Sequence, residues 1–179
     1  TVVLRQQAAQ LGRTEAEIYA QMAAQYRVMA ECIEPGTAPD LRSTSGLTGG
    51  DAYKMKQAVQ RGNTLSGPVL SGALMRALAV SELTAAMGRI VAAPTAGSCG
   101  ILPAALLTMQ QDCGVDEEAC VLSMFTAAAV GMVIAENASV AGAQGGCQAE
   151  CGSAAAMAAA PSMGDSRRPK ALSSTPAAM

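Results

Sequence analysis

Cys147 has the clearest setting for chemistry in this sequence. It follows the glycine pair Gly145-Gly146 and precedes a polar turn that reaches Glu150. Paired glycines let the backbone approach closely or adopt a positive φ, so we interpret Cys147 as presented to a ligand rather than packed in the core. Cys151 lies four positions later, a spacing that metal or cluster ligands on one helix face can use. An isolated pair at this spacing also occurs with no ligand, and both interpretations stay open.

The other cysteines have apolar or uncertain surroundings. Cys32, Cys113 and Cys120 lie in amphipathic or apolar contexts and are expected to fill the core, whereas Cys99 lies in a polar loop and is ambiguous. Six cysteines without a secretory leader indicate thiols in a reducing compartment rather than a disulfide framework. We therefore expect a cytoplasmic protein.

Polar loops rich in glycine interrupt an otherwise apolar chain around Thr48, Thr95 and Cys147. Loops held on a rigid scaffold are where sites usually form, so one hypothesis is that these loops converge on one pocket. The alternative is that each merely connects two helices. The loop from Ala93 to Gly100 precedes an apolar helix, whose first backbone N–H groups would bind a carboxylate well.

Several function classes are excluded. The chain has no histidine, so it cannot complete serine-hydrolase triads, zinc-hydrolase sites or histidine acid–base schemes. No phosphate-binding Gly-x-x-x-x-Gly-Lys-Ser/Thr motif occurs, and the glycines near Cys147 do not follow a strand, which removes kinase and dehydrogenase functions. A net charge of −2 with scattered basic residues and few aromatics argues against nucleic acid binding.

The composition predicts an all-α fold. Half of the residues are apolar, yet there are only three Tyr, one Phe and no Trp, so the core must be built from Ala, Leu, Val, Ile and Met. Small side chains let helices pack closely. We expect one compact multi-helix domain over residues 1–160, with buried Ala/Leu/Met-rich central helices and Gly-rich polar loops.

Local signals place the helices. Thr14 and Glu17 form a capping box before apolar residues at helical spacing. Asp51 is expected to cap a helix over residues 52–61, and Ser66 the next. That second helix is expected to turn one apolar face to the core: Leu70, Leu74, Leu78, Met87. Another helix is expected from about Pro103, and the helix after it should begin with acidic residues that complement its dipole: Asp116, Glu117, Glu118. The last helix is expected over residues 148–160.

The segment from Ala119 to Ala135 carries no charge and is nearly long enough to span a membrane. It is bounded by Glu118 and Glu136 and lacks flanking Lys or Arg, so we favour a buried central helix over a membrane span. Residues 161–179 hold three prolines and clustered charge and are expected to be a disordered tail. The chain starts at Thr1, not Met, and its first residues already have the pattern of the start of a helix, so we expect its true N-terminus upstream.

Four segments together resemble the α subunit of the bacterial iron–sulfur-dependent L-serine dehydratases, in order and with matching spacing from about residue 1 to residue 160. They are Ser-Gly-Leu-Thr-Gly-Gly-Asp (45–51), Ala-Ala-Met-Gly (85–88), Ala-Pro-Thr-Ala-Gly-Ser (93–98) and Asn-Ala-Ser-Val-Ala-Gly-Ala-Gln-Gly-Gly-Cys-Gln-Ala-Glu (137–150). The resemblance implies deamination of L-serine to pyruvate and ammonia by a 4Fe-4S cluster, without pyridoxal phosphate.

By position, Cys147 matches the first cluster ligand of that family. The other two family ligands belong to a Cys-Asp-Pro segment and a later Pro-Cys, and neither occurs in this sequence. Cys151 falls where relatives are expected to have an apolar residue and is not counted as a replacement. The tail after Ala160 also departs from the family's continuing helix, as a truncated or frame-shifted sequence would.

The resemblance further implies a substrate loop whose residues bind the carboxylate of L-serine: Thr95, Ala96, Gly97, Ser98. Weaker substrate-binding candidates come from the neighbouring motifs: Thr48, Asp51, Asn137, Ser139. The general base is expected from a separate β subunit or domain, and a homo- or hetero-oligomer follows, with neither nucleic acid nor membrane as a partner. The alternative is a catalytically incomplete helical fragment that holds no cluster and only folds or associates with a partner subunit.

Overall fold

The computed structural model describes the backbone of residues 1–164 and the side chains of residues 1–160. Within that range the chain forms helices and no β-strand, which confirms the all-α prediction. The elements are α1 (Val2–Leu11), α2 (Glu15–Glu31), α3 (Ile33–Gly36), α4 (Asp51–Gln60), α5 (Gly67–Ala85), a 3-10 turn (Ala96–Ser98), α6 (Ile101–Gln111), α7 (Glu117–Asn137) and α8 (Gly142–Gly164).

Two helices begin as their local sequence predicts. Thr14 Oγ1 accepts from the Glu17 backbone N–H, and the Glu17 carboxylate accepts from the Thr14 backbone N–H at 2.9 Å, so the capping box of α2 is confirmed. Those hydrogen bonds hold the pKa of Glu17 below its usual range. At α7 the Asp116 side chain accepts from the Ala119 N–H at 2.7 Å. Both caps satisfy backbone donors that have no partner inside the helix.

The predicted cap of α4 is wrong. Gly50 is the N-cap residue and Asp51 is the first residue of the helix. The cap is instead Glu82 on α5, whose carboxylate accepts from the backbone N–H groups of Gly50, Asp51 and Ala52 at 2.8, 2.7 and 3.1 Å. A carboxylate at a helix N-terminus satisfies free donors and complements the helix dipole. The side chain of Asp51 pairs with Lys54 in solvent.

The predicted core face of α5 is also wrong. Leu70, Leu74 and Leu78 are exposed by 55%, 46% and 38%, and Met87 lies beyond the end of the helix. Other residues of the helix form the buried face: Ser71, Gly72, Arg76, Ala79, Val80, Leu83. Neighbouring backbone comes close to α5 at Ala77 and Ala79. A Cβ on Gly36 would collide with the carbonyl of Ala79, and one on Gly100 would lie 2.6 Å from the carbonyl oxygen of Ala77.

Arg76 belongs to that buried face and is fully paired. Its guanidinium bonds both carboxylate oxygens of Asp112, at 2.7 and 3.1 Å, together with Thr108 Oγ1 at 2.8 Å and Gln111 Oε1 at 2.9 Å. The Arg76 side chain is 7% exposed and that of Asp112 27%. A cation this deeply buried needs such partners, and these fix α5 against α6.

α6 begins at Ile101, slightly before the predicted start at Pro103, and supplies Leu102, Leu106 and Leu107 to the main core. That core also contains Tyr26 of α2, and residues of α7 and α8. It is built mainly of aliphatic side chains, as the composition predicts.

α7 is only half buried. Cys120, Val121 and Phe125 lie in the core, but Met132 and Val133 are exposed by 44% and 60%. The buried central helix predicted for residues 119–135 is therefore right for its first half and wrong for its second. In the part of the chain that the structure describes, α7 alone is long and apolar enough to cross a membrane, a property that core helices of soluble proteins share.

α8 contains a break at Gly146, where φ is 73° and ψ is 177°. The positive φ expected of the glycine pair is thus present at its second member. A short helical segment from Gly142 precedes the break. The main helix follows Gly146, close to the predicted start at residue 148, and continues past Ala160 to Gly164. The remainder of the predicted disordered tail, residues 165–179, lies outside the described residues.

Candidate functional site

The 93–98 loop and α8 meet at the carboxylate of Glu150. A Cβ built on Gly97 would lie 2.6 Å from Glu150 Oε2, and one built on Gly142 would lie 2.7 Å from the same atom. Both positions are glycine, so the carboxylate fits between the loop and the first residue of α8. This contact joins two of the three polar loops singled out in the sequence.

Cys147 lies three residues before Glu150 on α8. Residues three apart on a helix are neighbours, with Cβ atoms about 5–6 Å apart, so Cys147 and Glu150 share a face. Cys147 and Cys151 are both exposed thiols. Over the described residues, no group of three or more Cys, His, Asp or Glu side chains is placed to hold a metal ion. The described residues therefore present a thiol at this site but form no metal-binding group of three ligands.

The substrate loop predicted from the resemblance forms a 3-10 turn. Thr95 Oγ1 and Ser98 Oγ lie 3.1 Å apart and hydrogen-bond to each other, and Ser98 is buried. A carboxylate acceptor could receive one or both hydroxyl protons, because each hydroxyl can rotate. Ala96 and Gly97 lie between these hydroxyls.

Cys99, ambiguous from the sequence, is a buried thiol behind the loop. Its Sγ lies 3.0 Å from Thr84 Oγ1 on α5. Burial raises the pKa of Cys99, with the Thr84 hydrogen bond acting in the opposite direction. Burial also raises the pKa of Cys32, and Cys99 adds to the effect. These thiols stay protonated at neutral pH and are poor metal ligands.

The other predicted core cysteines differ from one another. Cys120 is buried, as expected, whereas Cys113 is only partly buried.

The loop around Thr48 packs elsewhere, against the C-terminal part of α5. Glu82 binds its end at Gly50 to Ala52, and the Thr44 N–H donates to the Ala85 carbonyl at 3.0 Å. The Thr48 N–H donates to Ser43 Oγ. Among the described residues no hydrogen bond joins Thr48 or Asp51 to the 93–98 loop. The link between the two loops is indirect, through α5 and Thr84.

Asn137 and Ser139 lie at the junction of α7 and α8. The Asn137 amide donates to the Val133 carbonyl at 2.8 Å, and the Ser139 hydroxyl donates to Gln144 Oε1 at 2.8 Å. Ser139 also accepts from the Ala141 N–H, next to Gly142. Both side chains shape the turn that places Gly142 against Glu150, and their role in substrate binding stays a prediction.

Two cavities in the described part of the helical body are not lined by the candidate residues. One of about 310 Å³ lies between α1, α2 and α7, and another of about 200 Å³ adjoins Ala93 and Pro94. Their walls are chiefly apolar or amide side chains, including Met22 and Met29. Such walls do not suit a small zwitterion, so the polar junction at Glu150 is a better candidate than either cavity.

Sequence reasoning assigned no role to Glu150, although it ends the 137–150 motif. The available signal was its spacing of three from Cys147, which places both on one helix face. Together the hydroxyls, the carboxylate and the exposed thiol can bind a ligand that carries both a carboxylate and a cationic group.

The fold and this site define an all-helical protein whose polar loop–helix junction offers hydroxyls, a carboxylate and a thiol. A family model described as "Serine dehydratase alpha chain" matches residues 1–164. The chain belongs to this family.

Three relatives show the extent of the similarity. The chain is 42% identical over 159 residues to a probable L-serine dehydratase, alpha chain, of Bacillus subtilis (strain 168), an alignment that covers 89% of this chain and 53% of that relative. It is 39% identical over 160 residues to the L-serine dehydratase, alpha chain, of Peptoniphilus asaccharolyticus, covering 89% and 54%. For L-serine dehydratase TdcG of Escherichia coli (strain K12) the identity is 39% over 158 residues, covering 83% and 34%.

The chain thus spans about half the length of the α-chain relatives it matches first. No solved structure matches it.

Proposed function

We propose that this chain forms part of an enzyme that deaminates L-serine to pyruvate and ammonia, an L-serine ammonia-lyase. The observation that carries the proposal is the meeting of the 93–98 loop with the 137–150 segment at Glu150, because these are two of the motifs that resemble the family. Both α-chain relatives compared above carry the name L-serine dehydratase. Loss of the α-proton and of the hydroxyl as water gives aminoacrylate, which tautomerises and hydrolyses to the products.

The role of this chain in the reaction is substrate binding. The Thr95 and Ser98 hydroxyls, which bond to each other in the structure, can turn toward a substrate carboxylate. Short charge-assisted hydrogen bonds would then fix one end of L-serine. The general base is proposed to come from a β chain or domain, in keeping with the α-chain names of the relatives. A hetero-oligomer in the cytoplasm is part of the same proposal.

The cofactor proposed from the resemblance is a 4Fe-4S cluster, with no pyridoxal phosphate. The residues described here do not fit a complete cluster, because they contain no group of three ligands. Cys147 is the one residue of this chain proposed to ligate it, since it is exposed at the site and follows the break at Gly146. The remaining ligands must come from other residues.

The second candidate function is a helical fragment that holds no cluster and only associates with a partner subunit. The observation that favours it is the same lack of a ligand group in the described part of the chain. It differs from the first proposal in a measurable way, because it requires neither iron nor turnover of L-serine.

Iron and sulfide analysis after anaerobic reconstitution, combined with a pyruvate assay in the presence of a serine dehydratase β chain, separates the two. We expect bound iron and pyruvate formation for the wild-type chain and loss of both for Cys147→Ser. Cys151→Ser is the matched control, an exposed thiol on the same helix, and should retain both. Iron uptake that is absent, or equal in wild type and Cys147→Ser, would reject the ligand role of Cys147. Absence of pyruvate with all chains present would reject the proposed activity.

A further inference from the structure

We propose that Glu150 binds the α-ammonium group of the amino-acid substrate and so selects amino acids over hydroxy acids of the same shape. This inference rests on the proposed function and assigns one half of substrate recognition to a residue not included in the substrate loop. The first observation is positional. Glu150 Oε2 occupies the space that a side chain on either Gly97 or Gly142 would need, which places the carboxylate directly against the loop that carries Thr95 and Ser98.

The carboxylate of Glu150 does not act as a cap. Glu82 is a capping carboxylate in this chain, because it accepts hydrogen bonds from three backbone N–H groups at 2.7–3.1 Å. Glu150 Oε2 fills the space that a Cβ on Gly97 or Gly142 would need, yet among the described residues its carboxylate accepts no hydrogen bond and forms no ion pair. Its position against the loop is therefore not explained by bonds to the loop.

Within the described part of the chain, the elements that pack against α8 supply no cation to Glu150. No Lys or Arg occurs between Arg89 and Arg167, a range that includes the loop, α6, α7 and all of α8. Glu150 is partly buried, and a carboxylate withdrawn from water is stabilised by an opposite charge. Because the chain provides none in these elements, a cationic ligand is the partner that the site fits.

An amino acid carries a group for each part of this junction. Its carboxylate suits the hydroxyl donors Thr95 and Ser98, and its ammonium suits the acceptor Glu150, which lies against Gly97 of the same loop. Because the hydroxyls favour an anionic group and Glu150 favours a cationic one, the pair fixes the orientation of the substrate and selects amino acids. A hydroxy acid would satisfy only the first group and leave the carboxylate of Glu150 unpaired.

The test compares two probes, L-serine and 3-hydroxypropanoate, by NMR titration of the full chain. The second probe keeps the carboxylate and the hydroxyl but lacks the amine. Glu150→Gln should weaken L-serine binding by about 10- to 100-fold, the worth of one hydrogen bond between charged groups, and leave 3-hydroxypropanoate binding unchanged. Glu136→Gln is the control, since it makes the same change at an exposed position at the end of α7 and should alter neither affinity.

A second variant, Gly97→Ala, tests the same role of Glu150 if Glu150→Gln does not fold. Gly97→Ala would displace the Glu150 side chain without removing it, and should reduce L-serine binding selectively while the melting temperature stays near that of the wild type. Equal weakening of both probes in Glu150→Gln, or no weakening of either, would overturn the ammonium role. A fall in kcat with unchanged L-serine affinity would also overturn it. Failure of the wild-type chain to bind L-serine would instead reject the proposed function itself.

Discussion

Removing Asp112 should destabilise the fold more than removing its partner Arg76. In Asp112→Ala the guanidinium of Arg76 loses a bidentate ion pair, with contacts of 2.7 and 3.1 Å. The Arg76 side chain is only 7% exposed, so its charge is left buried. In Arg76→Met the charge itself disappears and the apolar stem is kept. The carboxylate left behind in that variant is 27% exposed and can be hydrated.

The expected losses in the free energy of unfolding follow from how deeply each charged group is buried. Breaking a buried pair by deleting one partner costs about 3–5 kcal/mol, because the other charge is left uncompensated. Arg76 keeps its bonds to Thr108 and Gln111, and water can reach the gap left by Asp112, so we expect about 2–3 kcal/mol for Asp112→Ala. For a chain of this size that is a fall in melting temperature of roughly 4–12 °C. Arg76→Met should cost about 1–2 kcal/mol.

Urea unfolding followed by circular dichroism at 222 nm measures both free energies. Asp51→Ala is the matched control, because it deletes an aspartate from a pair of similar length, 2.9 Å to Lys54, in which the side chains of Lys54 and Asp51 are 76% and 69% exposed. An exposed pair contributes about 0–1 kcal/mol. The reasoning would be refuted if Arg76→Met cost more than Asp112→Ala, or if Asp112→Ala cost no more than Asp51→Ala.

The cysteines provide the remaining predictions. Iodoacetamide should modify Cys147 much faster than Cys32 and Cys99 in the native chain, because Cys147 is exposed, whereas Cys32 and Cys99 are 2% and 1% exposed and have a raised pKa. Peptide mass spectrometry measures the modification of each cysteine. Early labelling of either buried thiol would contradict the burial described. A raised folded-state pKa also means that protonation of these two thiols favours the folded chain. Its contribution is complete below the pKa of an unfolded thiol, about 8.5, and is lost as the pH rises above it. The free energy of unfolding should therefore fall between pH 8 and pH 10, and fall less steeply in the Cys32→Ala/Cys99→Ala variant; equal slopes would count against the shift.

Features whose partners lie close in sequence could be predicted. The box of Thr14 and Glu17 needs groups only three residues apart, so the pattern alone identifies it. The acidic start of α7 was predicted as well, although the side-chain cap by Asp116 was not. The exposure of Cys147 and the positive φ of Gly146 are local properties that the glycine pair predicts, whereas the ligand role of Cys147 stays a prediction. The all-α class also follows from composition, because an aliphatic core with few aromatics needs close helix contacts.

Features set by tertiary packing could not be predicted. The leucines of α5 have the spacing of a core stripe, but the same spacing also describes an exposed stripe. What decides the buried face is the approach of the Gly36 and Gly100 backbones to Ala79 and Ala77, which no periodicity records. The contact of Glu150 with Gly97 likewise depends on how α8 packs beside the 93–98 loop.

The cap that Glu82 supplies to α4 has a consequence for native-state motion. The first amides of α4 have their carboxylate acceptor on another helix, so they stay protected from hydrogen exchange only while the last turns of α5 remain docked. Thr84, on those same turns, bonds Cys99 just behind the 93–98 loop. The segment that carries Thr48 and the loop that carries Thr95 are therefore expected to open together, as one cooperative unit that includes the end of α5.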